Sequence, residues 1–563
     1  MKSSAINLRL SSVVALWLAM CGHARVGAAE PAPAGVVPAK PRPNILFVAI
    51  DDLNDWGVTA LSGRQGVHTP NLDRLAAQGM LFLNANCAAP ACNPSRTAIL
   101  TGVAPHSSGV YNNSCDWRVN ERLKPVTTLP NYFRQHGYTA YGAGKLFHSL
   151  EWHDGPTDGY NDPGSWDTYF PSFQRQMPHR VLPPDRPLAR GTGTRPPDFF
   201  DWGPIQQPME SMPDHQVIDW SIAELGKKHE KPFFQAVGIF RPHIPWYVPK
   251  QFFDLYPLDQ IQLPYVRPGW REKLPPAAQQ SGQARRQWHQ WILDNHEWTK
   301  AVQGYLASIS FADYQLGRLL DALDRSPEKD NTIVMLWTDH GFHVGDKTTW
   351  EKFTLWAEST RVPFIVVVPG MTRPGSQCAR AVSLLDMYPT LVELAGLPPC
   401  AKNQGMSLVP WLRDPARPKE QPAVITNGRG NHAVRDDRWH YIRYANGDEE
   451  LYDMSDDDSQ WDNLAADPEH ADVKARLAQW LPKEDAPDQG PTPGGLEGPP
   501  LKQGAGLRMG GDGATPAGTV ATQAKPAAYP IQAAPMTAVR FAPDNFWSPR
   551  LATTNGRWHE TGH

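Results

Sequence analysis

The stretch NILFVAIDD, residues Asn44 to Asp52, is an apolar run unbroken after Asn44 that stops on two carboxylates. A strand with one wet face alternates apolar and polar residues, whereas a strand covered on both faces does not. The run therefore predicts a central parallel strand. Asp51 and Asp52 then fall at its carboxyl end, where open α/β sheets gather their sites. Similar runs follow at 233–239, 332–337 and 362–368. The first leads into Arg241-Pro242-His243-Ile244-Pro245 and the second into Thr338-Asp339-His340-Gly341. A shorter strand at 138–141 delivers Gly144-Lys145-Leu146-Phe147-His148. Helical patterns lie between them: Thr69-Pro70 to Gly79, then 128–136, 214–229, a long amphipathic stretch at 296–325, and 383–395. This alternation predicts an α/β fold, a large mostly parallel sheet covered by helices on both faces, with a smaller C-terminal α+β domain.

The chain of 563 residues is long enough for that arrangement. Lys2 and Arg9, the apolar Val13–Cys21 and the small residues Gly27-Ala28-Ala29 read as a secretory signal over residues 1–29, which places the mature protein in the periplasm or outside the cell. A lipoprotein anchor at Cys21 is the lesser alternative, since Met20 is bulky for such a site. No later run reads as transmembrane. A Pro/Ala linker at 30–43 precedes a catalytic domain at 44–410 and an α+β subdomain at 411–482. Inside the catalytic domain, 150–215 and 250–290 read as long irregular excursions. The Gly, Pro and Ala of 483–530 predict disorder. Val539–Arg550, within 531–563, resembles the opening of a bacterial β-L-arabinofuranosidase-type domain whose remainder is missing. The net charge of -4 gives no basis for a nucleic-acid partner. Beyond Cys21 the cysteines are Cys87, Cys92, Cys115, Cys378 and Cys400, an odd set, so at least one is free or chemically altered. Cys92 is the chosen one, and Cys378 with Cys400 is a candidate pair.

The sequence CNPSRTAILTG, Cys92 to Gly102, reads as a tight turn entering a helix, with Pro94 in the first turn where a missing N–H costs nothing. Backbone N–H groups at such a start favour an anion, and Arg96 adds a planar positive fork. A nucleophile, an anion cradle and an arginine in five residues describe a site for sulfate or phosphate. Asp51, Asp52, Asp339 and His340 each follow a strand. This oxygen-rich set suits a hard divalent cation, and calcium tolerates so mixed a shell better than magnesium. Lys145, His148, His243 and Lys352 would bring positive charge and proton carriers to an oxyanion. Each alone has an ordinary reading as a cap, a turn residue or a surface ion pair. Their common position past strand ends is what points to chemistry.

CNPSR followed by TAILTG resembles the signature of type I sulfatases of the alkaline phosphatase superfamily, and the segments at 51–52, 144–148, 241–245 and 338–341 are similar to that family's other site segments. GKLFH, RPHIPW and YLASISFADYQLGRLLDAL resemble the iduronate-2-sulfatase-like branch. The resemblance implies that a maturation enzyme oxidises Cys92 to formylglycine (3-oxoalanine), whose hydrate attacks the ester, and that Asp51, Asp52, Cys92, Asp339 and His340 surround Ca2+. It implies that Arg96 holds the hydrate and the metal-side oxygens, while Lys145 and His148 orient the nucleophile, His148 also being the base for the later elimination. His243 and Lys352 would meet the sulfate and its bridging oxygen, one of them supplying the leaving-group proton. Lys347 stands near where that branch often has histidine and is left outside the site. The substrate would be a sulfated small molecule or carbohydrate, such as a glycosaminoglycan or algal fragment. Asn113, Asp116, Trp117 and Arg118 would form its rim, and Trp56, Trp117, Trp166, Trp202 and Trp246 would offer faces for sugar stacking. The alternatives are a phosphomonoester or phosphonate hydrolase of the same superfamily, a choline or aryl sulfatase, and an inactive carbohydrate-binding relative in which Cys92 stays unmodified.

Overall fold

The computed structural model describes residues 41–62, 66–149, 159–182 and 199–492. The expected leader, most of the first linker, and everything beyond 492, including the glycosidase-like segment, lie outside these residues. Asn44–Ile50 sits near the middle of an eight-stranded sheet, parallel to Phe233–Ile239 on one side and Thr332–Thr338 on the other. Every residue of it is buried. Ile45, Phe47 and Ala49 pack on one face beneath the helices Cys92–Thr101, Leu129–Gln135 and Met387–Leu394. Leu46, Val48 and Ile50 pack on the other beneath Pro70–Gln78, Pro213–Leu225 and Trp298–Asp324. Burying a side chain of the larger kinds contributes about 1.5–3 kcal/mol. Both faces claim that contribution, which is why the run carries no polar alternation.

Across the sheet the order is 376–383, 80–86, 364–367, 332–338, 44–50, 233–239, 139–144 and 168–170. Phe364–Val367 runs antiparallel to both neighbours, so the sheet is mixed, with its parallel part around the central strand. Sequence reading passes over Met80–Asn86 and Ser376–Ser383. The first breaks its apolar run with Asn84 and Asn86, both buried, and the second is an edge strand with Arg380 in its middle. The excursion at 150–215 is not wholly irregular: Thr168–Phe170 adds the last parallel strand, and Trp202–Ile205 pairs with Trp246–Pro249. The excursion at 250–290 likewise holds the start of a helix, Gln283–Asp294. The helix at Pro70 begins where predicted, yet Thr69 makes no side-chain cap bond. Asp313 of the long helix accepts the N–H groups of Asn71 and Leu72 instead, at 3.0 and 2.7 Å.

The smaller domain is a four-stranded antiparallel sheet, Ala423–Thr426, His432–Arg435, Trp439–Arg443 and Glu449–Asp453, with the helix Ala471–Ala478 against it. Its joint with the larger domain contains Lys347. That ammonium donates to Gln460 O at 2.8 Å and lies 4.3, 4.8 and 5.2 Å from the ring centres of Trp461, Trp270 and Trp356. Residues 483–492, expected to begin a disordered linker, instead return to the catalytic domain. Ala486, Gln489 and Thr492 donate their N–H groups to the carbonyls of His106, Gly109 and Ser114. Cys378 and Cys400 do not pair; Cys87, Cys92 and Cys115 are free as well. No described helix is long and apolar enough to cross a membrane.

Candidate active site

The carboxyl ends of four neighbouring strands converge on Cys92. Asp51-Asp52 follow the central strand, Asp339-His340 follow Thr332–Thr338, His243 follows Phe233–Ile239, and Lys145 follows Thr139–Gly144. Two glycines let the last two chains touch. A Cβ on Gly238 would lie 2.2 Å from Lys145 O, and Gly144 takes a φ of +74°, a region that disfavours any side chain. Asp52 itself sits in the left-handed region at φ 58°, which aspartate tolerates better than most residues. Tyr305 locks this turn by donating to Asp52 O at 2.8 Å and accepting the Asn54 N–H at 3.0 Å.

Cys92 opens its helix as the sequence predicts and is wholly buried. Its Sγ lies 3.3 Å from His340 Nε2, 3.9 Å from Lys145 Nζ and 4.0 Å from Asp52 Oδ1. Burial, against the pull of Lys145 and Lys352, pushes the thiol well above its ordinary range. An unmodified Cys92 is therefore protonated and poorly nucleophilic. Lys352 donates to both oxygens of Asp52 at 2.9 and 2.8 Å, and Lys145 Nζ lies 2.5 Å from Asp51 Oδ2. Arg96 donates to Asp339 Oδ2 and Asp51 Oδ1, both at 2.8 Å, and to the carbonyls of Lys145 and Leu146 at 2.6 and 3.0 Å. Those bonds all go to the acids and to the lysine turn. With residue 92 as cysteine, Arg96 braces the carboxylates.

Burial would raise Asp51, but Lys145 and Arg96 outweigh it and hold the carboxyl well below the usual range. For Asp52 burial wins over Lys352, with Asp51 and Asp339 adding repulsion, and the pKa is pushed up to about 8. His340 gives its Nδ1 proton to Gly341 O at 2.9 Å, and burial lowers the ring to about 4, so Nε2 faces Cys92 as a lone pair. Ligand atoms of Asp51, Asp52 and Asp339 lie within 4.8 Å of one another, as do those of Cys92, Asp339 and His340. Crowded carboxylates that repel, beside an unprotonated imidazole, fit a divalent cation that oxygen donors prefer.

The remaining predicted residues divide. His243 stands beside Asp52, Nε2 to Oδ2 at 3.8 Å, with Nδ1 donating to Ile244 O at 2.6 Å; burial depresses its pKa. His148 is buried with neither ring nitrogen hydrogen-bonded, and burial followed by Lys145 keeps it neutral. The predicted rim divides: Asn113 and Trp117 are buried, Asp116 is half-buried and Arg118 is exposed. Asn113 Oδ1 accepts the Asn93 N–H at 2.9 Å and so caps the Cys92 helix. Trp117 stacks on Phe147 at 5.1 Å and donates to Tyr160 O. Arg118 is spent on Asp116 and on Asn161 O. Trp166, Trp202 and Trp246 are buried too, which removes them as sugar platforms, and Trp56 is half-buried against Tyr305. Sequence reading missed Tyr305, hidden in the apolar stripe of the long helix, and Ser95, whose hydroxyl donates to Asp339 O at 2.6 Å. Both had a signal, Ser95 its place inside the cysteine motif and Tyr305 its place at the start of YLASISFADYQLGRLLDAL, where apolar periodicity hides the role of its hydroxyl.

Comparison with known proteins agrees with this geometry. The Sulfatase family matches residues 43–397, and the family described as N-sulphoglucosamine sulphohydrolase, C-terminal, matches 345–486. A protein named Sulfatase from Formosa agariphila is 38% identical over 457 residues, covering 79% of this chain and 87% of its own. Human iduronate 2-sulfatase is 33% identical over 398 residues, 63% of this chain and 69% of its own. The fold is shared with the phosphonate monoester hydrolase of Agrobacterium radiobacter, at a TM-score of 0.59 and 22% identity over 78% of this chain and 95% of that one. Matched over most of its length, and with the signature cysteine set among acids at the crest of the sheet, the chain belongs to the type I sulfatases of the alkaline phosphatase superfamily and is a hydrolase of that kind.

Proposed function

We propose that the protein hydrolyses sulfate esters of a carbohydrate in the manner of the iduronate-2-sulfatase-like branch, acting outside the cytoplasm. The observation that carries this is the convergence on buried Cys92 of three carboxylates, two ammonium groups and the imidazoles of His243 and His340. Asp51, Asp52, Asp339 and His340 would hold Ca2+, which supplies Lewis acidity toward a non-bridging sulfate oxygen. Formylglycine at 92 would supply the hydrated aldehyde, a nucleophile that the protonated thiol is not.

The chain's own groups divide the remaining work. Arg96 keeps Asp51 and Asp339 in one alignment. Lys145 and Lys352 place positive charge where negative charge develops on the ester. His243 holds its proton at Nδ1 on Ile244 O and burial keeps it neutral, so proton donation to the leaving alcohol falls to Lys352. His148, neutral and without a bond at either nitrogen, suits the base that takes a proton from residue 92.

The test is steady-state kinetics on matched sulfate and phosphate monoesters, with the mass of the residue-92 peptide read from the same preparation. Loss of 18 Da relative to cysteine, together with preference for sulfated sugars, supports the proposal. A large preference for phosphate or phosphonate esters refutes it, and turnover of aryl or choline sulfate alone removes the carbohydrate.

A further inference from the structure

The smaller domain, together with Pro482 and Asp485, encloses a hollow of about 590 Å³, lined by Arg429, His432, Arg443, Tyr444 and Asp485 among others. It is within the size range of small-ligand sites. The guanidinium groups set it apart. Elsewhere in this domain Arg435 bonds Asn84, Arg438 bonds Asp453 and Arg476 bonds Asp436. Arg429 and Arg443 make no side-chain hydrogen bond or close ion pair among the described residues, although Glu449 stands opposite Arg443 across the strand pair and feels its charge. One acid, Asp485 of the returning segment, also lines the hollow, and it stands 3.2 Å from His432 Nε2. His432 Nδ1 meets Thr426 Oγ1 at 3.1 Å, which fixes the ring as a wall between the two neighbours.

The turn that carries Arg429 is tied directly to the catalytic machinery. Asn427 donates to Phe353 O at 2.8 Å, and Phe353 follows Lys352 in the chain, about 3.8 Å between Cα atoms. Thr426 N–H donates to Ala88 O at 2.9 Å, and Phe353 N–H to Pro90 O at 2.9 Å, both just before Cys92. Among the groups around Cys92, His243 and Lys352 retain the most exposure, 4% and 2%. Lys352 is thus joined through Phe353 to the turn that carries Arg429.

We propose that this hollow is a subsite for a second anionic group of the substrate, a carboxylate or sulfate on the sugar next to the one whose ester is cleaved, held by Arg429 and Arg443. Both groups are planar or fork-matched acceptors that guanidinium binds with two parallel bonds. The proposal rests on the reading of a sulfated carbohydrate as substrate, and its test separates the two.

Wild type, Arg429→Gln, Arg443→Gln and the double variant are compared on 4-nitrophenyl sulfate and on a sulfated uronate–hexosamine disaccharide. Calorimetric titration with the same disaccharide after removal of its ester sulfate, leaving the carboxylate, measures binding without turnover. The expected result is a KM on the charged disaccharide at least tenfold higher in the double variant, kcat within twofold, and unchanged kinetics on the aryl ester. Titration affinity falls by a similar factor. Arg429 is exposed, so its single variant serves if the double variant melts lower than wild type. Equal KM for both proteins on the disaccharide, or an equal loss on the aryl ester, overturns the proposal. If no sulfate ester is turned over by wild type, the functional reading fails, and the titration alone decides the subsite: a difference between wild type and variant supports it, and none refutes it.

Discussion

Replacing Arg96 with lysine keeps the charge and removes the fork. The wild-type side chain, fully buried, serves two carboxylates at 2.8 Å and two carbonyls at 2.6 and 3.0 Å at once. A lysine ammonium is a compact donor that reaches one of the two acids. The other is left as a buried, half-compensated charge, and breaking such a pair costs about 3–5 kcal/mol. Unfolding entropy of about 2.1 cal/mol/K per residue, over roughly 450 folded residues, gives about 1 kcal/mol per degree. The Arg96→Lys protein should therefore melt about 3–5 °C lower by calorimetry in the absence of metal. Because Asp51 and Asp339 also lose their common brace, kcat on an aryl sulfate should fall about 10²-fold or more, a loss comparable to removing one transition-state donor. A variant that melts within 1 °C of wild type and turns over within twofold would refute the reasoning, since charge alone would then suffice.

Two further outcomes follow from the same pocket. Asn113→Ala removes the acceptor at the start of the Cys92 helix and should cost about 1 kcal/mol and a several-fold drop in kcat, whereas Asn113→Asp keeps the oxygen and should restore both. Identical behaviour of the two variants in melting and kinetics would show that the cap does not matter. Asp52 stands at about 8 in the metal-free chain against 3.8 when unfolded, so its contribution to stability is full below about pH 4 and lost as pH rises through 8. Binding Ca2+ at pH 7 demands the carboxylate, so close to one proton should be released, and almost none at pH 9. Titrations in buffers of different ionisation heat measure this, and a release independent of pH would dismiss Asp52 as the source.

Much of this site was legible because its residues stand at the ends of apolar strands. NILFVAI, FFQAVGI and TIVMLWT announce themselves, and Asp51, His243 and Asp339 follow within a few positions. Periodicity is silent on what a side chain faces. Trp117, Trp166, Trp202 and Trp246 look like exposed loop aromatics in sequence, yet tertiary packing buries each of them. Asn113 looked like a substrate contact because it is polar and near the motif; its partner is the backbone of Asn93. The strand Met80–Asn86 escapes because buried asparagines interrupt its run, and the helix start at Pro70 is held by Asp313 from across the fold, not by Thr69 beside it. Each miss is a long-range contact, and none leaves a local trace.

Lys347 has a mechanical consequence. Three indole faces from three distant stretches of chain shelter one ammonium that burial already makes costly to charge. Prising the smaller domain away would withdraw Trp461 and the Gln460 carbonyl together, stranding the cation between the two rings that remain. Losing that contact strands a buried charge, so the smaller sheet should come away from the larger in one cooperative step.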